Sequence, residues 1–397
     1  MKIVLLSDGF PSKGRPIYIF VEQLVHKLVD KGNEVTVIAF QSITKALVYK
    51  EKLLPCVNVH STNSGNTFNV IRPYTITFGS GRRFLYKCFK FIERIAVHLI
   101  IRRTSPEILY GHFWHCADKL KKSAIRYHIP LFVACGEGDN ALETLNNNLS
   151  GKERKQLIDA VCGVISVSTE NMHKCISYKL VSKENIVVLP NCVDSNIFYP
   201  GRNDELRSKL GLIPEDFLVI FVGSFIKRKG PDRLCQALDL IASTNLKAVF
   251  IGKTMGSDAV EPQYEGIVYK GIVDHSDLPN YLRAADLFVL PTLKEGCSNA
   301  IVEALATAIP VVSSDRSFNY DILNPYNSIL VQPDDVSAIA QAILEFMYNK
   351  DKYRSVKEYL LLEAGSYSLD LRVSKILEFI KKQLKIYNEN ISNSSHI

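Results

Sequence analysis

Residues 286–303 decide the fold class, and their sequence is Asp-Leu-Phe-Val-Leu-Pro-Thr-Leu-Lys-Glu-Gly-Cys-Ser-Asn-Ala-Ile-Val-Glu. The apolar run Leu287–Leu290 predicts a strand that is buried on both faces. Ser298 and Asn299 are residue types that begin helices, and the residues after them predict a helix at Ala300–Ala306. A strand followed directly by a helix is the repeating unit of a parallel, doubly wound sheet.

The same alternation of strand and helix runs along the rest of the chain. In the first half it predicts strands at Lys2–Leu6, Glu34–Phe40, Glu107–Tyr110, Leu131–Ala134, Gly163–Val167 and Asn185–Leu189. In the second half it predicts strands at Phe217–Val222, Lys247–Ile251, Gly266–Tyr269, Asp286–Leu290, Pro310–Ser313 and Ser328–Val331. The polar stretch Asn191–Pro200 between them is suited to a linker. We therefore expect an α/β protein with two Rossmann-like domains, at residues 1–190 and 191–368, facing across a cleft. A final helical segment with a polar tail occupies residues 369–397.

Charge divides the chain at the same place. The whole sequence of 397 residues has 48 Lys and Arg against 41 Asp and Glu. Residues 1–190 contain 26 basic and 15 acidic side chains (26 − 15 = +11), and residues 191–397 contain 22 and 26 (22 − 26 = −4). This asymmetry indicates that the two halves bind different ligands.

Composition excludes several classes of protein. With 47% hydrophobic and 22% charged residues, the chain is neither disordered nor fibrous. Its nine cysteines include no Cys-x-x-Cys pair, which argues against a zinc or dithiol site and for a reducing cytoplasm. The stretch Met1–Asp8 predicts a strand and not a signal peptide, and no apolar run approaches the roughly 20 residues of a membrane-spanning helix. We expect a soluble or peripheral protein.

Two carboxylates flank the predicted helix start at Ser298. Glu295 lies in the loop before it, and Glu303 lies one turn inside the helix. A helix N-terminus offers free N–H groups to a phosphate, and the two carboxylates can bind two hydroxyl-bearing parts of one ligand. From spacing alone, a loop charge and a solvated helix carboxylate remain an equal alternative.

A second cluster is the loop Gly223–Gly230, which follows the strand Phe217–Val222 and precedes a helix that begins near Pro231. The cations Lys227, Arg228 and Lys229 lie in it beside a glycine. They are suited to neutralising a diphosphate, although a solvated basic loop is the simpler alternative. The loop lacks the Gly-x-x-x-x-Gly-Lys-Ser/Thr pattern of a Walker sequence.

Together the two clusters resemble the donor site of glycosyltransferase family 4, whose members are retaining enzymes of the GT-B fold. Three further stretches, in the family's order, strengthen the resemblance: Lys2–Ser7 followed by Phe10-Pro-Ser, Val188–Asp194 followed by Phe198-Tyr-Pro, and Pro310–Asp315 followed by Asp321-Ile-Leu. The segment Leu369–Ile386 is similar to the family's terminal helix, which returns to the N-terminal domain.

The resemblance implies a role for each matching residue. Lys229 would bind the donor diphosphate, Glu303 the ribose hydroxyls and Glu295 the hydroxyls of the transferred sugar. The expected donor-binding residues are Gly14, Gly223, Arg228, Lys229, Glu295, Ser298, Asn299, Ala300 and Glu303. The expected catalytic residues are Glu295, Lys229 and Glu137, and His112 would line the acceptor site.

The chain also departs from the family pattern. The family's arginine after the glycine is Ser224 here, so Arg228 or Lys227 would supply the charge beside Lys229. Gly136 stands where the family often has a histidine, with Glu137 next to it, and Glu137 is either a catalytic group or a structural carboxylate. His112 is either an acceptor-side group or a histidine packed beside Trp114.

The implied activity is transfer of a sugar, with retention, from a nucleotide sugar to a saccharide or lipid-linked acceptor. The implied process is assembly of a bacterial surface polysaccharide such as capsule or O-antigen. No Asp-x-Asp pair occurs, so we expect no metal ion and no cofactor other than the nucleotide-sugar substrate. The alternatives are a nucleotide-sugar epimerase, a phosphorylase or an inactive sugar-nucleotide-binding protein. The sequence Gly136-x-Gly138-x-x-Ala141 is a weak form of the dinucleotide-binding fingerprint. An NAD-dependent protein is therefore a further alternative, and a much less favoured one than a glycosyltransferase.

The stretch Arg82–Arg103 predicts an amphipathic helix with seven cations against one acid, Glu93. At 100° per residue, one face carries Arg83, Lys87, Lys90, Arg94, His98 and Arg102, and the opposite face carries Leu85, Cys88, Phe89, Ile92, Ile95, Ala96 and Leu99. We expect the apolar face to pack on the core, with the basic face either solvated or against anionic lipid at the inner face of the membrane. Nucleic acid is not an expected partner, because no aromatic stacking platform accompanies the charge.

Overall fold

The computed structural model describes residues 1–12, 17–76, 83–137 and 141–394, with backbone only at 83–90, 391, 393 and 394. The chain divides into two compact units. The first, here the N-terminal unit, comprises Met1–Val167, Asn171–Leu189 and Val373–Ile397, and the second, the C-terminal unit, comprises Ser168–Glu170 and Pro190–Arg372. The change of unit at Pro190 lies beside the boundary expected at residue 190.

The N-terminal unit is built on an eight-stranded sheet with the strand order β10-β9-β8-β7-β1-β2-β5-β4. Its strands are β1 (Lys2–Ser7), β2 (Glu34–Ala39), β4 (Val57–Ser61), β5 (Thr67–Ile71), β7 (Ile108–His112), β8 (Leu131–Cys135), β9 (Val161–Ser166) and β10 (Ile186–Val188), and a separate ribbon pairs β3 (Gln41–Ser42) with β6 (Tyr74–Thr75). All neighbours in the large sheet are parallel except β4, which is antiparallel to β5. Every residue of β7 and β8 is buried, which explains why these strands are almost continuously apolar.

The C-terminal unit has a six-stranded, fully parallel sheet with the order β13-β12-β11-β14-β15-β16. Its strands are β11 (Phe217–Val222), β12 (Leu246–Ile251), β13 (Ile267–Gly271), β14 (Leu287–Leu290), β15 (Val311–Ser314) and β16 (Ser328–Val331). This is the Rossmann order 3-2-1-4-5-6. Its core includes the fully buried rings of Phe221, Phe250 and Phe288. The predicted fold class, α/β with two Rossmann-like domains, is confirmed.

Helices follow most of the strands. In the first half they are α1 (Ile19–Asp30), α2 (Ile43–Val48), α3 (Arg83–Thr104), α4 (Trp114–Tyr127), α5 (Ala141–Asn148), α6 (Gly151–Ala160) and α7 (Thr169–Ser177). In the second half they are α8 (Asp204–Lys209), α9 (Pro231–Ile241), α10 (Leu278–Ala284), α11 (Asn299–Ala306), α12 (Val336–Tyr348), α13 (Lys350–Glu363) and α14 (Leu369–Ser394). Within the described part of the chain, no helix combines the length and the apolarity that crossing a membrane requires.

The orientation predicted for the basic helix is wrong. Helix α3 forms where it was expected, but Ile92, Ile95 and Leu99 of its expected inner face are exposed. The cause is the neighbouring helix α4, which offers charged partners to the other face. Arg94 donates to Asp118 at 3.2 Å, and Glu93 lies 3.0 Å from the ammonium of Lys119.

The sequence analysis also missed the hairpin of β4 and β5. Both strands alternate between apolar and polar residues, and a turn closed by a bond from Gly65 N to Thr62 O joins them. That alternation and the Asn63-Ser-Gly65 turn are the signals that predict a hairpin.

The last helix, α14, packs its buried residues Val373, Ile376 and Ile380 within the N-terminal unit. Gln383 Nε2 also donates to the carbonyl of Glu184 in that unit, at 3.0 Å. The segment that follows the second sheet in sequence therefore stabilises the first.

We expect Ile380→Ala to lower the free energy of unfolding of the N-terminal unit by about 2–5 kcal/mol, because it leaves a cavity in a closed core. The sole tryptophan, Trp114, is buried in this unit, so its fluorescence during urea unfolding reports the unit specifically. The control Glu378→Ala, on the exposed face of α14, should change stability by less than about 0.5 kcal/mol. An unchanged Trp114 transition in Ile380→Ala would contradict this packing.

Candidate active site

In the C-terminal sheet β11 and β14 are neighbours. The strands that follow β11 are added on one side of this pair, and the strands that follow β14 are added on the other side. The topological switch point of the sheet therefore lies between β11 and β14. Ligands of doubly wound sheets bind at the carboxyl ends of the strands at such a point. The loop 223–230 leaves β11 there, and the loop 291–298 leaves β14 there. Both clusters singled out from the sequence therefore lie at this position.

Lys229 and Glu295 join the two loops. The Lys229 ammonium donates to Glu295 Oε1, which also accepts a hydrogen bond from Thr292 Oγ1 at 2.9 Å. The Arg228 guanidinium lies 3.8 Å from the same oxygen and donates to the carbonyl of Lys294 at 2.7 Å. Two cations thus converge on one largely buried carboxylate, and the backbone bond from Leu293 N to Arg228 O, 2.8 Å long, fixes the loops in register.

Gly230 is required by the close approach of these loops. It caps α9 with a φ of 77°, and a Cβ atom there would lie 2.7 Å from the carbonyl oxygen of Pro291. Gly252, after β12, is similarly constrained, because a Cβ atom there would collide with the carbonyl oxygen of Gly223. Gly223 itself, a predicted donor-binding residue, directly follows β11, and its N–H donates to Ile251 O at 2.9 Å. The glycines let the backbone close around the switch point.

Arg233 is a positioning residue that the sequence analysis missed. It lies in the first turn of α9 and donates to two carbonyls, those of Pro291 at 2.8 Å and Lys227 at 2.9 Å. It therefore ties the loop after β11 to the loop after β14. An arginine following Gly-Pro in a helix start is a weak signal, because its partners are backbone atoms that no motif specifies.

The start of helix α11 carries Ser298, Asn299 and Ala300, three of the predicted donor-binding residues. Ser298 is the buried N-cap, yet its side chain makes no capping bond, and Asn299 is exposed. Asn191, which lies in the linker, fixes this turn. Its Nδ2 atom donates to Asn299 Oδ1 at 2.7 Å and to Cys297 O at 3.0 Å. The N–H groups of the first turn, which lack intrahelical acceptors, are suited to a phosphate.

Glu303 is buried one turn further along α11 and has a partner that the sequence did not predict. His275, in the loop after β13, lies with its Nε2 atom 3.3 Å from Glu303 Oε1. The hydrogen bond and the charge of Glu303 raise the pKa of His275, against the opposing effect of burial. Glu303 is thus neither solvated nor unpartnered, and His275 orients its carboxylate.

In the N-terminal unit, Glu137 follows β8 and is buried. Its Oε1 atom accepts from the backbone N–H of Trp114 at 2.6 Å, so it caps the start of α4. Burial raises the pKa of this carboxyl group above its ordinary value. These contacts give Glu137 a structural role, and a catalytic role stays a prediction.

His112 is the last residue of β7, and its ring contacts two aromatic rings. The ring centroids of Phe20 and Phe113 lie 5.3 Å and 4.7 Å away. Phe113 has a φ of 83°, a backbone conformation that residues other than glycine rarely adopt. Such strain is found at functional sites, and here it marks the turn at which β7 leads into α4.

Asp8 and His115 are hydrogen-bonded, Oδ2 to Nε2, at the switch point of the N-terminal sheet, between β1 and β7. Burial acts to raise the pKa of Asp8, but the hydrogen bond and charge of His115, with the charge of Lys119, outweigh it and lower that pKa. With Cys116 the pair forms a group of possible metal donors within 4.8 Å of one another. However, burial raises the pKa of the Cys116 thiol well above its usual range, which disfavours the thiolate that a metal would need.

A cavity of about 480 Å³ opens beside Asp8 at the ends of β1 and β2. Arg72 lines it and is buried, and its Nη2 donates to Pro11 O at 3.3 Å. The Nη1 atom of Arg72 has no hydrogen-bond partner among the described residues. A buried guanidinium with a vacant donor, beside Lys119, suits this cavity to an anionic group.

The predictions for Gly14 and Gly138 fall outside the described residues, as do those for the side chains of α3 before Phe91. Gly14 lies in the segment 13–16, and Gly138 of the dinucleotide fingerprint lies in the segment 138–140, both outside the described residues. The acidic residue that this fingerprint would require, Asp159, lies within helix α6 and not at the end of a strand.

Comparison with known proteins identifies the chemistry. The family described as "Glycosyl transferases group 1" matches residues 216–349, which include the Lys229–Glu295 pair and Glu303. The chain is a glycosyltransferase. A Bacillus subtilis (strain 168) protein assigned as a teichuronic acid biosynthesis glycosyltransferase is 24% identical over 88% of this chain and 90% of its own length.

Other similar proteins support the same assignment. An Escherichia coli "UDP-Gal:alpha-D-GlcNAc-diphosphoundecaprenol alpha-1,3-galactosyltransferase" is 31% identical over 47% of this chain and 51% of its own length. Among solved structures, sucrose-phosphate synthase from Thermosynechococcus elongatus has a TM-score of 0.74 at 17% identity, covering 97% of this chain and 99% of that one. These matches confirm the GT-B fold and favour sugar transfer over the epimerase, phosphorylase and inactive alternatives.

In this glycosyltransferase we expect Glu303→Gln to lower the pKa of His275, because the substitution removes the carboxylate that stabilises the protonated ring. The folded state of the wild type favours protonated His275. The contact with Glu303 therefore stabilises the folded state, and this stabilisation is complete at a pH below 6.5, the ordinary pKa of histidine. That contribution, under about 1 kcal/mol for a partly exposed pair, is lost as the pH rises through the raised pKa.

NMR titration of labelled histidine rings measures the shift, with His275→Gln assigning the resonance. The exposed His173 is the internal control, and its ring resonances should have the same chemical shifts in the wild type and in Glu303→Gln. A His275 titration curve that does not move in Glu303→Gln would show that the contact does not form in solution.

Proposed function

We propose that this glycosyltransferase moves a sugar, with retention of configuration, from a nucleotide-sugar donor to a saccharide or lipid-linked acceptor. The C-terminal unit binds the donor and the N-terminal unit binds the acceptor. The process is the assembly of a cell-surface polysaccharide such as capsule or O-antigen. The relatives assigned to teichuronic acid biosynthesis and to a diphosphoundecaprenol-linked acceptor support this proposal.

The observation that carries the proposal is the Lys229–Glu295 pair beside the start of α11. A nucleotide sugar presents a diphosphate and two sets of hydroxyls, and the site offers matching groups at one switch point. Lys229, Arg228 and the N–H groups of α11 suit the diphosphate. Glu295 suits the hydroxyls of the transferred sugar, and Glu303, oriented by His275, suits those of the ribose.

The proposed sugar transfer requires the protein to stabilise the nucleoside diphosphate as a leaving group. As the bond from the anomeric carbon to the phosphate oxygen breaks, negative charge develops on the nucleoside diphosphate, where Lys229 and Arg228 stabilise it. The acceptor hydroxyl attacks the anomeric carbon from the same face and gives its proton to the departing phosphate oxygen. Configuration is thereby retained.

On the acceptor side, the cavity beside Asp8 has the properties that an anionic, partly apolar acceptor requires. Arg72 and Lys119 supply positive charge, and Phe10, Phe40 and Leu54 supply apolar surface. We place the acceptor there, with Asp8 and His115 within reach of its hydroxyls. The protein would act in the cytoplasm and bind peripherally to the inner face of the membrane, where a lipid-linked acceptor resides.

We expect Lys229→Met and Glu295→Gln each to lower the rate of sugar transfer by about a hundredfold to a thousandfold, the cost of losing one transition-state contact. The measurement is product formation from a panel of UDP-, GDP- and ADP-sugars, chosen by thermal shift. A donor present at 100 times its dissociation constant should stabilise the protein by about 2.7 kcal/mol.

Lys350→Met and Glu358→Gln are the matched controls, because both side chains are exposed in the C-terminal unit and lie on α13, away from the switch point. They should transfer sugar at the wild-type rate. Donor binding without transfer or hydrolysis across the whole panel would contradict the proposed enzyme.

We also expect a metal chelator to leave the transfer rate unchanged, because protein cations and a helix N-terminus neutralise the diphosphate in this proposal. The assay compares chelator-treated protein with protein supplied with magnesium or manganese. A rate that falls with the chelator and returns with the metal would refute metal independence.

A further inference from the structure

Helix α3 presents large apolar side chains to the outside. Phe91, Ile92, Ile95 and Leu99 are 62%, 51%, 43% and 47% exposed. At 100° per residue they lie on one arc of the helix, together with the exposed Arg102 and Arg103 at its end. Single exposed apolar residues are ordinary, but four on one helix face form a continuous patch.

The inner face of α3 is the more polar one. Among residues 91–104, whose side chains the structure describes, this face buries Val97 and Ile101 fully and also carries Glu93, Arg94 and His98. Glu93 and Arg94 pair with Lys119 and Asp118 of α4, and His98 bonds to Tyr127 Oη at 3.0 Å. Among the described side chains of α3, two charged residues are therefore paired inside the protein while four large apolar residues stay exposed, which is unusual for a surface helix that faces only water.

Helix α2 also presents large apolar side chains to the outside. Leu47, Val48 and the following Tyr49 are 74%, 73% and 69% exposed. Both helices border the cavity beside Asp8, α2 through Lys45 and Ala46 and α3 through Glu93. We call these exposed residues of α2 and α3, with Tyr49, the apolar rim; they lie on the two helices that contribute other residues to the cavity wall.

Exposed cations flank the residues of the apolar rim along the chain. Arg102 and Arg103 lie at the end of α3, and Lys45, Lys50 and Lys52 lie on and after α2. Residues 1–190 as a whole have 26 basic and 15 acidic side chains (26 − 15 = +11). Apolar side chains flanked by Lys and Arg match an anionic bilayer surface, with acyl chains beneath negative headgroups. A second copy of the chain is a poorer occupant, because joining two such faces would bring like charges together.

We infer that the apolar rim inserts into the interface of an anionic membrane and holds the mouth of the acceptor cavity against it. This inference rests on the proposed function for its acceptor, and it assigns membrane binding to the apolar side of α3, not to the basic face expected from the sequence. Arg102 and Arg103 extend toward headgroups while the neighbouring apolar side chains enter the acyl boundary. A lipid-linked substrate would then reach the cavity without leaving the bilayer completely.

The test is co-sedimentation of the full chain with vesicles of phosphatidylcholine, with and without phosphatidylglycerol. We expect Phe91→Ser/Ile92→Ser/Ile95→Ser/Leu99→Ser to lower the partition coefficient by about a hundredfold, since each substitution removes apolar area that the membrane buries. The control Leu240→Ser/Leu362→Ser removes exposed apolar residues of the C-terminal unit and should bind like the wild type. Far-ultraviolet circular dichroism and the Trp114 unfolding transition establish that the variants remain folded.

A second variant tests the charge. Arg102→Gln/Arg103→Gln should weaken binding to anionic vesicles by about fivefold per cation and leave binding to neutral vesicles unchanged. Equal partitioning of the wild type and the four-serine variant would overturn the inference. So would a dimer in light scattering that the four-serine variant abolishes, because the face would then bind a second copy.

Transfer to a soluble acceptor separates this inference from the proposed function. The four-serine variant should keep wild-type transfer to a soluble acceptor and lose transfer to an acceptor embedded in vesicles. Absence of transfer to either acceptor by the wild type would count against the proposed function, whereas loss of vesicle binding alone concerns the apolar rim. Equal transfer of the vesicle-embedded acceptor by both proteins would refute the role of the rim in acceptor access.

Discussion

The contact between the loops after β11 and β14 is the constraint on which the candidate donor site depends. Parallel strands leave both loops at the same edge of the sheet, and the Lys229–Glu295 ion pair, with Arg233 beneath it, holds them together. Only glycine fits at position 230, because the neighbouring carbonyl of Pro291 occupies the space of a side chain. The cations and the start of α11 are thereby fixed before any substrate arrives, which is the condition for electrostatic stabilisation of a leaving group.

Charge is used differently in the two units. Residues 191–397 are net acidic, so an anionic donor must be held by local placement of Lys229, Arg228 and a helix N-terminus and not by overall attraction. In the N-terminal unit the positive charge is spread over many residues. Two groups of these cations lie at surfaces that can bind a ligand: the buried Arg72 lines the cavity, and exposed cations flank the apolar rim. The first arrangement suits a small soluble substrate, and the second suits a large anionic surface.

Much of the fold could be predicted from the sequence, because strands buried on both faces are almost continuously apolar. Leu287–Leu290 and Phe217–Val222 were predicted with the bounds that the structure gives or within one residue of them. The faces of α3 could not be assigned correctly. Periodicity distinguishes an apolar face from a charged face, but it does not say which face is buried. In α3 the side chains of Asp118 and Lys119, on helix α4, pair with Arg94 and Glu93 and turn these charged residues inward.

The site was predictable where a motif lies on one stretch of chain and not where partners come from separate loops. Glu295, Lys229 and Glu303 could be singled out as candidates because each adjoins a strand end or a helix start. His275 was missed because it is an isolated histidine in a loop, and its pairing with Glu303 exists only in three dimensions. Asp8 was missed for the same reason, since its partner His115 lies more than a hundred residues away.

The central claim is that the C-terminal switch point binds the nucleotide-sugar donor, and amide hydrogen exchange of the full chain tests it most directly. With a stabilising nucleotide sugar added, the account predicts slower exchange in residues 223–230 and 295–303, and unchanged exchange in the loops after β1 and β7. Protection confined to the loops of the N-terminal unit, with residues 223–230 and 295–303 unaffected, would contradict it.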